Sequence, residues 1–196
     1  MSNLFQKMQI DAFRAGINPR TKASRDWFRN KASQLRQGRI KRDELMDEEP
    51  LRKTNSYAPG DMVMFFYDAK TKDKLPYWDR FPLVILVEGA DKGFYGLNLH
   101  YLPPVLRAKL LDSLLDVTTN NSYDDKTRFD LSYKLLKGAA KFKYFKPCFK
   151  RYLISGVQSK FSKVLAPEWE IATFLPTAQW QKAQANQVYQ QSRKII

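Results

Sequence analysis

Two β-prone apolar runs, "MVMFF" and "PLVILVE", flank the thirteen-residue connection "DAKTKDKLPYWDR" at 68–80, and a chain built this way is committed to pairing strands. The Pro-Gly of "YAPGDMVMFFYDA" marks a turn before the first run. The second run, "RFPLVILVEGADKGFYGLNLHYLPP", passes through a Gly-containing turn into a third strand. Short antiparallel strands joined like this predict an α+β chain. Its core is expected to be a small SH3-like, partly open antiparallel β-barrel with N-terminal basic helices and helical insertions. The connection itself is too polar to be buried. It is expected to project from the barrel mouth with Lys70, Lys72 and Lys74 at its tip and Tyr67, Tyr77, Trp78 and Phe81 near its base.

The rest of the chain reads as helices around that core. "LFQKMQIDAFRAGINP" spaces Phe5, Met8 and Ala12 as one helical face and stops at Gly16 and Pro19. In "RTKASRDWFRNKASQLRQG", Lys22, Arg25, Arg29 and Arg36 fall within an arc of roughly 60° beside an apolar face of Phe28, Ala32 and Leu35. One side of that helix can pack while the other meets phosphate. Five acids in the seven residues from Asp43 to Glu49 form an acidic hinge that closes at Pro50. After the strands, Pro103 and Pro104 open a helix with Leu106, Leu110 and Leu114 on one face, and Leu131, Leu135 and Ala139 repeat the pattern in a second. "EWEIATFLP" reads as a final strand. Three regions result: a basic arm and acidic hinge at 1–50, a barrel core with covering helices at 51–176, and a polar C-terminal tail or partner-docking helix at 177–196.

Charge decides which partners such a chain can have. The 34 Lys/Arg and 20 Asp/Glu give a net charge of +14. Residues 14–42 hold ten cations and one acid, and residues 131–167 hold nine cations and none, so each carries +9 and the remainder sums to −4. Two concentrated basic segments on a roughly neutral body are the footprint of a polyanion binder. In "KFKYFKPCFKRYL" the cations Lys141, Lys143, Lys146, Lys150 and Arg151 alternate with aromatics, among them Tyr144. As a regular strand, "KFKYFK" would set Lys141 and Lys143 on one face and Lys146 on the other. The candidate polyanion-binding residues are thus Lys22, Arg25, Arg29 and Arg36 on the arm, and Lys70, Lys72, Lys74 and Trp78 on the projecting connection. Lys141, Lys143, Tyr144, Lys146, Lys150 and Arg151 complete the set.

Catalytic and metal chemistry find little support. There is no Gly-rich phosphate loop and no "HExxH", and the single Cys148 and single His100 make neither a zinc set nor a disulfide. Asp61 with Asp68 and Lys70 of "DAK" mimics a nuclease fragment, but a match that short arises by chance. His100 reads as a hydrogen-bonded histidine at a strand end, and Cys148 as a small buried apolar residue. No run of 18 apolar residues and no signal core occur, so no membrane partner is expected. No cofactor is expected either.

The phrases "DAFRAGINPRT", "MFFYDAKTKDKLPYWDRFPLVILVE", "GFYGLNLHYLPPVLRAKLLD", "FKPCFKRYL" and "EWEIATFLP" together resemble the DNA end protector proteins of T-even-type and related marine tailed phages, over roughly residues 1–193. The resemblance implies a non-enzymatic virion protein, not an enzyme. Such a protein would sit on double-stranded DNA termini near the portal or head–tail vertex and shield them from host exonuclease, in the host cytoplasm during assembly and after genome entry. Portal, neck or tail proteins would be its neighbours. No site residue is carried over by the resemblance. Two other classes stay open: a structural neck or tail protein meeting DNA or acidic neighbours, and, by fold analogy alone, an RNA-binding or ribonuclease barrel.

Overall fold

The computed structural model describes residues 51–54, 57–119, 137, 142–164 and 169–196. The expected N-terminal helices, the expected acidic hinge and most of the expected helix around Leu131, Leu135 and Ala139 lie outside the described residues.

Among the described residues, eight strands and four α-helices follow in chain order. They are β1 (Leu51–Thr54), β2 (Met62–Met64), β3 (Trp78–Asp79), β4 (Leu83–Ala90), β5 (Gly93–Asn98), α1 (Pro104–Thr119), α2 (Phe145–Cys148), β6 (Phe149–Leu153), β7 (Phe161–Val164), α3 (Trp169–Phe174), β8 (Trp180–Gln181) and α4 (Ala185–Ile195). Six strands form one antiparallel sheet in the order β1-β7-β2-β4-β5-β6, and β3 pairs with β8 in a separate ribbon. The fold is therefore mixed helix and sheet, as expected. Neither sheet closes into a barrel.

Local chemistry sets the turns. Ala58-Pro59-Gly60-Asp61 is closed by Asp61 N–H donating to the Ala58 carbonyl at 3.1 Å, and Gly60 takes the positive φ of 88° that only glycine adopts cheaply. Between β4 and β5 the hairpin turns through Asp91 and Lys92, the latter at φ 56°. Gly93 follows because a Cβ there would lie 1.9 Å from the Tyr152 carbonyl oxygen of β6.

The long run of β4 is apolar on consecutive residues because both sheet faces are covered. Met62, Met64, Leu83, Ile85 and Leu97 turn toward the helices, where they join Leu110, Leu111, Leu114, Phe142 and Val188 in one core. Val63, Phe65, Val84, Leu86, Phe94, Tyr152 and Phe161 form a second core on the opposite face. Phe94 of β5 and Phe161 of β7 stand three strand spacings apart, roughly 14 Å in a flat sheet, yet their rings lie 5.8 Å apart. The sheet is curled around its own aromatics, which gives a barrel-like wall without closure.

Two expectations are corrected here. Within "EWEIATFLP", Trp169–Phe174 is the helix α3 rather than a strand. Thr173 Oγ1 donates to the Trp169 carbonyl one turn back at 2.8 Å, and Trp169 Nε1 ties the helix start to the Val164 carbonyl at 3.0 Å. Residues 142–146 of "KFKYFK" are no strand either, because the chain coils from Phe142 into α2. Within residues 177–196, α4 buries Val188 and Ser192 and opens with a reciprocal Gln184–Gln187 capping box.

On α1 the inward stripe runs through Arg107, Leu110, Leu111 and Leu114, with Leu106 only partly buried. Arg107 is 3 % exposed. Its guanidinium donates to the Leu102 carbonyl at 2.6 Å, the Thr173 carbonyl at 3.1 Å and the Tyr189 hydroxyl at 3.0 Å, which joins α1, α3 and α4. Arg107→Met keeps the stem's volume but leaves two buried carbonyls without donors. It should cost about 2 kcal/mol or more, read as a lower urea midpoint at unchanged denaturant slope.

Candidate nucleic-acid interface

The segment 142–151 builds one half of the site. Because it coils, Phe142 and Phe145 share helical spacing and point inward, while Lys143 and Lys146, also three apart, are both exposed. Sequence reasoning that assumed a strand put Lys143 and Lys146 on opposite faces. Lys143 Nζ sits 5.0 Å over the ring of Tyr144, whose other contacts are with the helix-side core. Pro147 and Cys148 are buried, and β6 then carries Lys150 and Arg151 along the edge of the sheet.

The connection 68–80 builds the other half. Its root is pinned by Tyr67 N–H to the Arg80 carbonyl at 2.9 Å and Asp68 N–H to the Gly156 carbonyl at 2.8 Å. Residues 70–74 are exposed, as expected of the tip. Lys72 pairs with Asp68 at 3.2 Å, so part of its charge is answered. Lys70 and Lys74 have no acidic partner among the described residues. Lys182 donates to the Lys72 carbonyl at 2.6 Å and lies 5.6 Å over the Trp78 ring, which holds the loop down on the C-terminal segment.

Loop and edge strand meet across a cavity of about 300 Å³. Tyr67, Tyr77, Trp78, Tyr101 and Tyr152 form its walls, Thr71 and Leu75 come from the loop, and Lys150 and Arg151 from β6. Lys150 Nζ lies 4.1 Å over the Tyr101 ring, a cation–π contact. Burial pulls the Lys150 ammonium below its ordinary value, with Cys148 acting the other way. Burial also pushes the Cys148 thiol up to about 12, so at neutral pH it is uncharged and gives Lys150 no counterion. Arg151 donates to the Asp91 carbonyl at 2.9 Å.

Behind the wall runs a buried polar chain. Asp79 Oδ2 lies 2.6 Å from His100 Nδ1, and His100 Nε2 lies 3.1 Å from Thr177 Oγ1. Asp79 also accepts from the N–H groups of Phe81 at 3.0 Å and Gln179 at 2.9 Å. Burial alone would raise the Asp79 carboxyl, but His100 and these donors outweigh it and hold it below its usual value. A carboxylate–imidazole–hydroxyl order invites comparison with a nucleophilic triad. Here His100 is 0 % and Thr177 7 % exposed, and neither lines the cavity, so the chain serves to clamp β3, the turn after β5 and the segment before β8. His100 is the hydrogen-bonded strand-end histidine that its sequence context suggests, and Cys148 is buried as expected.

Of the predicted residues, Trp78, Lys150 and Arg151 come together at the cavity, with Lys70, Lys72 and Lys74 on the loop beside it. Lys143, Tyr144 and Lys146 lie on the turn and helix leading into β6 and do not line it. Lys22, Arg25, Arg29, Arg36 and Lys141 lie outside the described residues. Sequence reasoning missed Tyr101 and Tyr152 as walls. Their only signal is position, Tyr101 just beyond the third strand and Tyr152 beside Lys150-Arg151. Among the described residues no group of three or more His, Cys, Asp or Glu could hold a metal ion, and no helix is long and apolar enough to cross a membrane.

A family model described as phage T4 terminal DNA protecting protein matches residues 4–195. No curated protein and no solved structure matches.

Proposed function

Because the chain belongs to the phage T4 terminal DNA protecting protein family, we propose that it is a non-enzymatic virion protein that binds the ends of a packaged double-stranded DNA genome and shields them from host exonuclease. The observation that carries this reading is the family match, which takes in both basic segments and the whole described fold. The physical chemistry is consistent with it. The net charge of +14 is concentrated in two segments, and exposed Lys70, Lys74, Lys143 and Lys146 have no acidic partner among the described residues. Such cations gain affinity by releasing counterions from phosphate, whatever the base sequence. A place at the DNA terminus puts the protein near the portal or head–tail vertex, with portal, neck or tail proteins as neighbours.

The test is a competition. Linear duplex is preincubated with the protein, a processive end-dependent exonuclease is added, and supercoiled circles are supplied in excess. Phosphate density is the same on both DNAs, so a charged surface alone treats them alike per base pair. Protection is expected to survive a large mass excess of circles. Loss of protection in proportion to circle mass would make the protein a general duplex binder and favour a structural role in the neck or tail.

A further inference from the structure

We propose that the cavity between the 68–80 connection and β6 is a seat for one terminal nucleotide of a DNA strand, its phosphate on Lys150 and its base against the tyrosine walls. The inference deepens the end-binding reading and rests on it for the source of the nucleotide.

Lys150 is the main argument. It is a half-buried lysine with no carboxylate partner among the described residues, and its ammonium is met only by the Tyr101 ring face at 4.1 Å. Desolvating a cation without an anion is unfavourable, and the cost falls when a phosphate arrives. The carboxylate at the wall, Asp79, does not compete for this cation, because it is already engaged by His100 and two backbone N–H groups.

Size and placement agree. A cavity of about 300 Å³ is at the small end of ligand sites, too small for a stretch of duplex and suited to a single residue of a strand. Only a terminus can deliver such a residue cheaply, since its nucleotide has one stacking neighbour instead of two and unpairs at the least cost. Thr71 lines the mouth and Lys70 and Lys72 flank it in sequence, so the following phosphates would leave along the lysine-bearing loop.

The test uses the full chain with deoxyadenosine monophosphate, deoxyadenosine and inorganic phosphate as separate probes, read by tryptophan fluorescence and chemical-shift titration. The monophosphate should bind better than either fragment. Lys150→Met should weaken it roughly tenfold or more, and Lys150→Arg should retain it. Tyr77→Leu, at a half-buried wall position, is the second variant should Lys150→Met fail to fold. It should weaken the monophosphate and deoxyadenosine but spare inorganic phosphate. In parallel, duplex with open ends is compared with a dumbbell closed at both ends. If Lys150→Met, folded by circular dichroism, keeps both monophosphate binding and the wild-type preference for open ends, the seat is overturned while end binding stands. If the wild type binds the monophosphate but treats open and closed duplexes alike, the seat exists and its assignment to a DNA terminus is overturned.

Discussion

Raising salt from about 50 to about 200 mM should weaken duplex binding by roughly a thousandfold or more. That is the loss when on the order of 6 to 10 phosphates are neutralised and their counterions released. The +14 chain has cations enough for such a contact set. The measurement is a binding titration at several salt concentrations, and a plot of log affinity against log salt gives the number of phosphates from its slope. Arg25→Gln, Arg29→Gln and Arg36→Gln together should flatten that slope by about three if all three arginines meet phosphate, since each contact contributes about one. Lys143→Gln with Lys146→Gln should flatten it by about two. The paired lysine Lys72 should matter less than Lys70 or Lys74, because its charge is already shared with Asp68. A shallow slope in the wild type would remove the electrostatic footprint altogether.

Asp79→Asn should destabilise the fold by about 2 kcal/mol or more, the cost of leaving buried donors unanswered where a carboxylate now accepts from all of them. Asparagine keeps the shape but turns an amide donor toward the ring of donors that the carboxylate now satisfies: His100, the Phe81 N–H and the Gln179 N–H. Asp68→Asn breaks only the exposed pair with Lys72 and should cost about 0.5 kcal/mol or less. The same carboxylate sets an acid limit. Its pKa is held below the ordinary value in the folded state, so the stability it contributes is present above the unfolded value of about 3.9 and is lost as pH falls through the folded one. Urea midpoints followed from pH 6 down should fall more steeply below about pH 4 in the wild type than in Asp79→Asn. Equal slopes would mean that Asp79 is not the group that couples folding to protons.

What could be read from residues alone were the parts whose signals are local. The β4 and β5 runs, the Pro-Gly turn and the proline-opened helix α1 all announce themselves within a few residues, and each is where the pattern puts it. The failures are short segments whose state is decided by distant partners. "EWEIATF" alternates well enough for a strand, but its tryptophan and threonine find helical partners and its body packs on α1. "KFKYFK" has aromatics at a spacing that suits either state, and the burial of both Phe142 and Phe145 chooses the coil. The cavity was legible only in fragments, as Trp78 in one place and Lys150-Arg151 in another. No local rule says that residue 78 will face residue 150, because that is a property of the sheet order.

The same sheet order governs how the protein can be made. β7 lies between β1 and β2, and pairs Met62 with Val164, residues 102 positions apart. At roughly 5 to 20 residues per second of synthesis, β2 and β4 emerge from the ribosome several seconds before the strand that completes them. During that interval the nascent chain presents an apolar hairpin with a raw edge at β2, the kind of surface that recruits chaperones or a second nascent copy. High contact order of this type also slows the final closure. Its production would thus be most vulnerable to mispairing when many copies are synthesised at once.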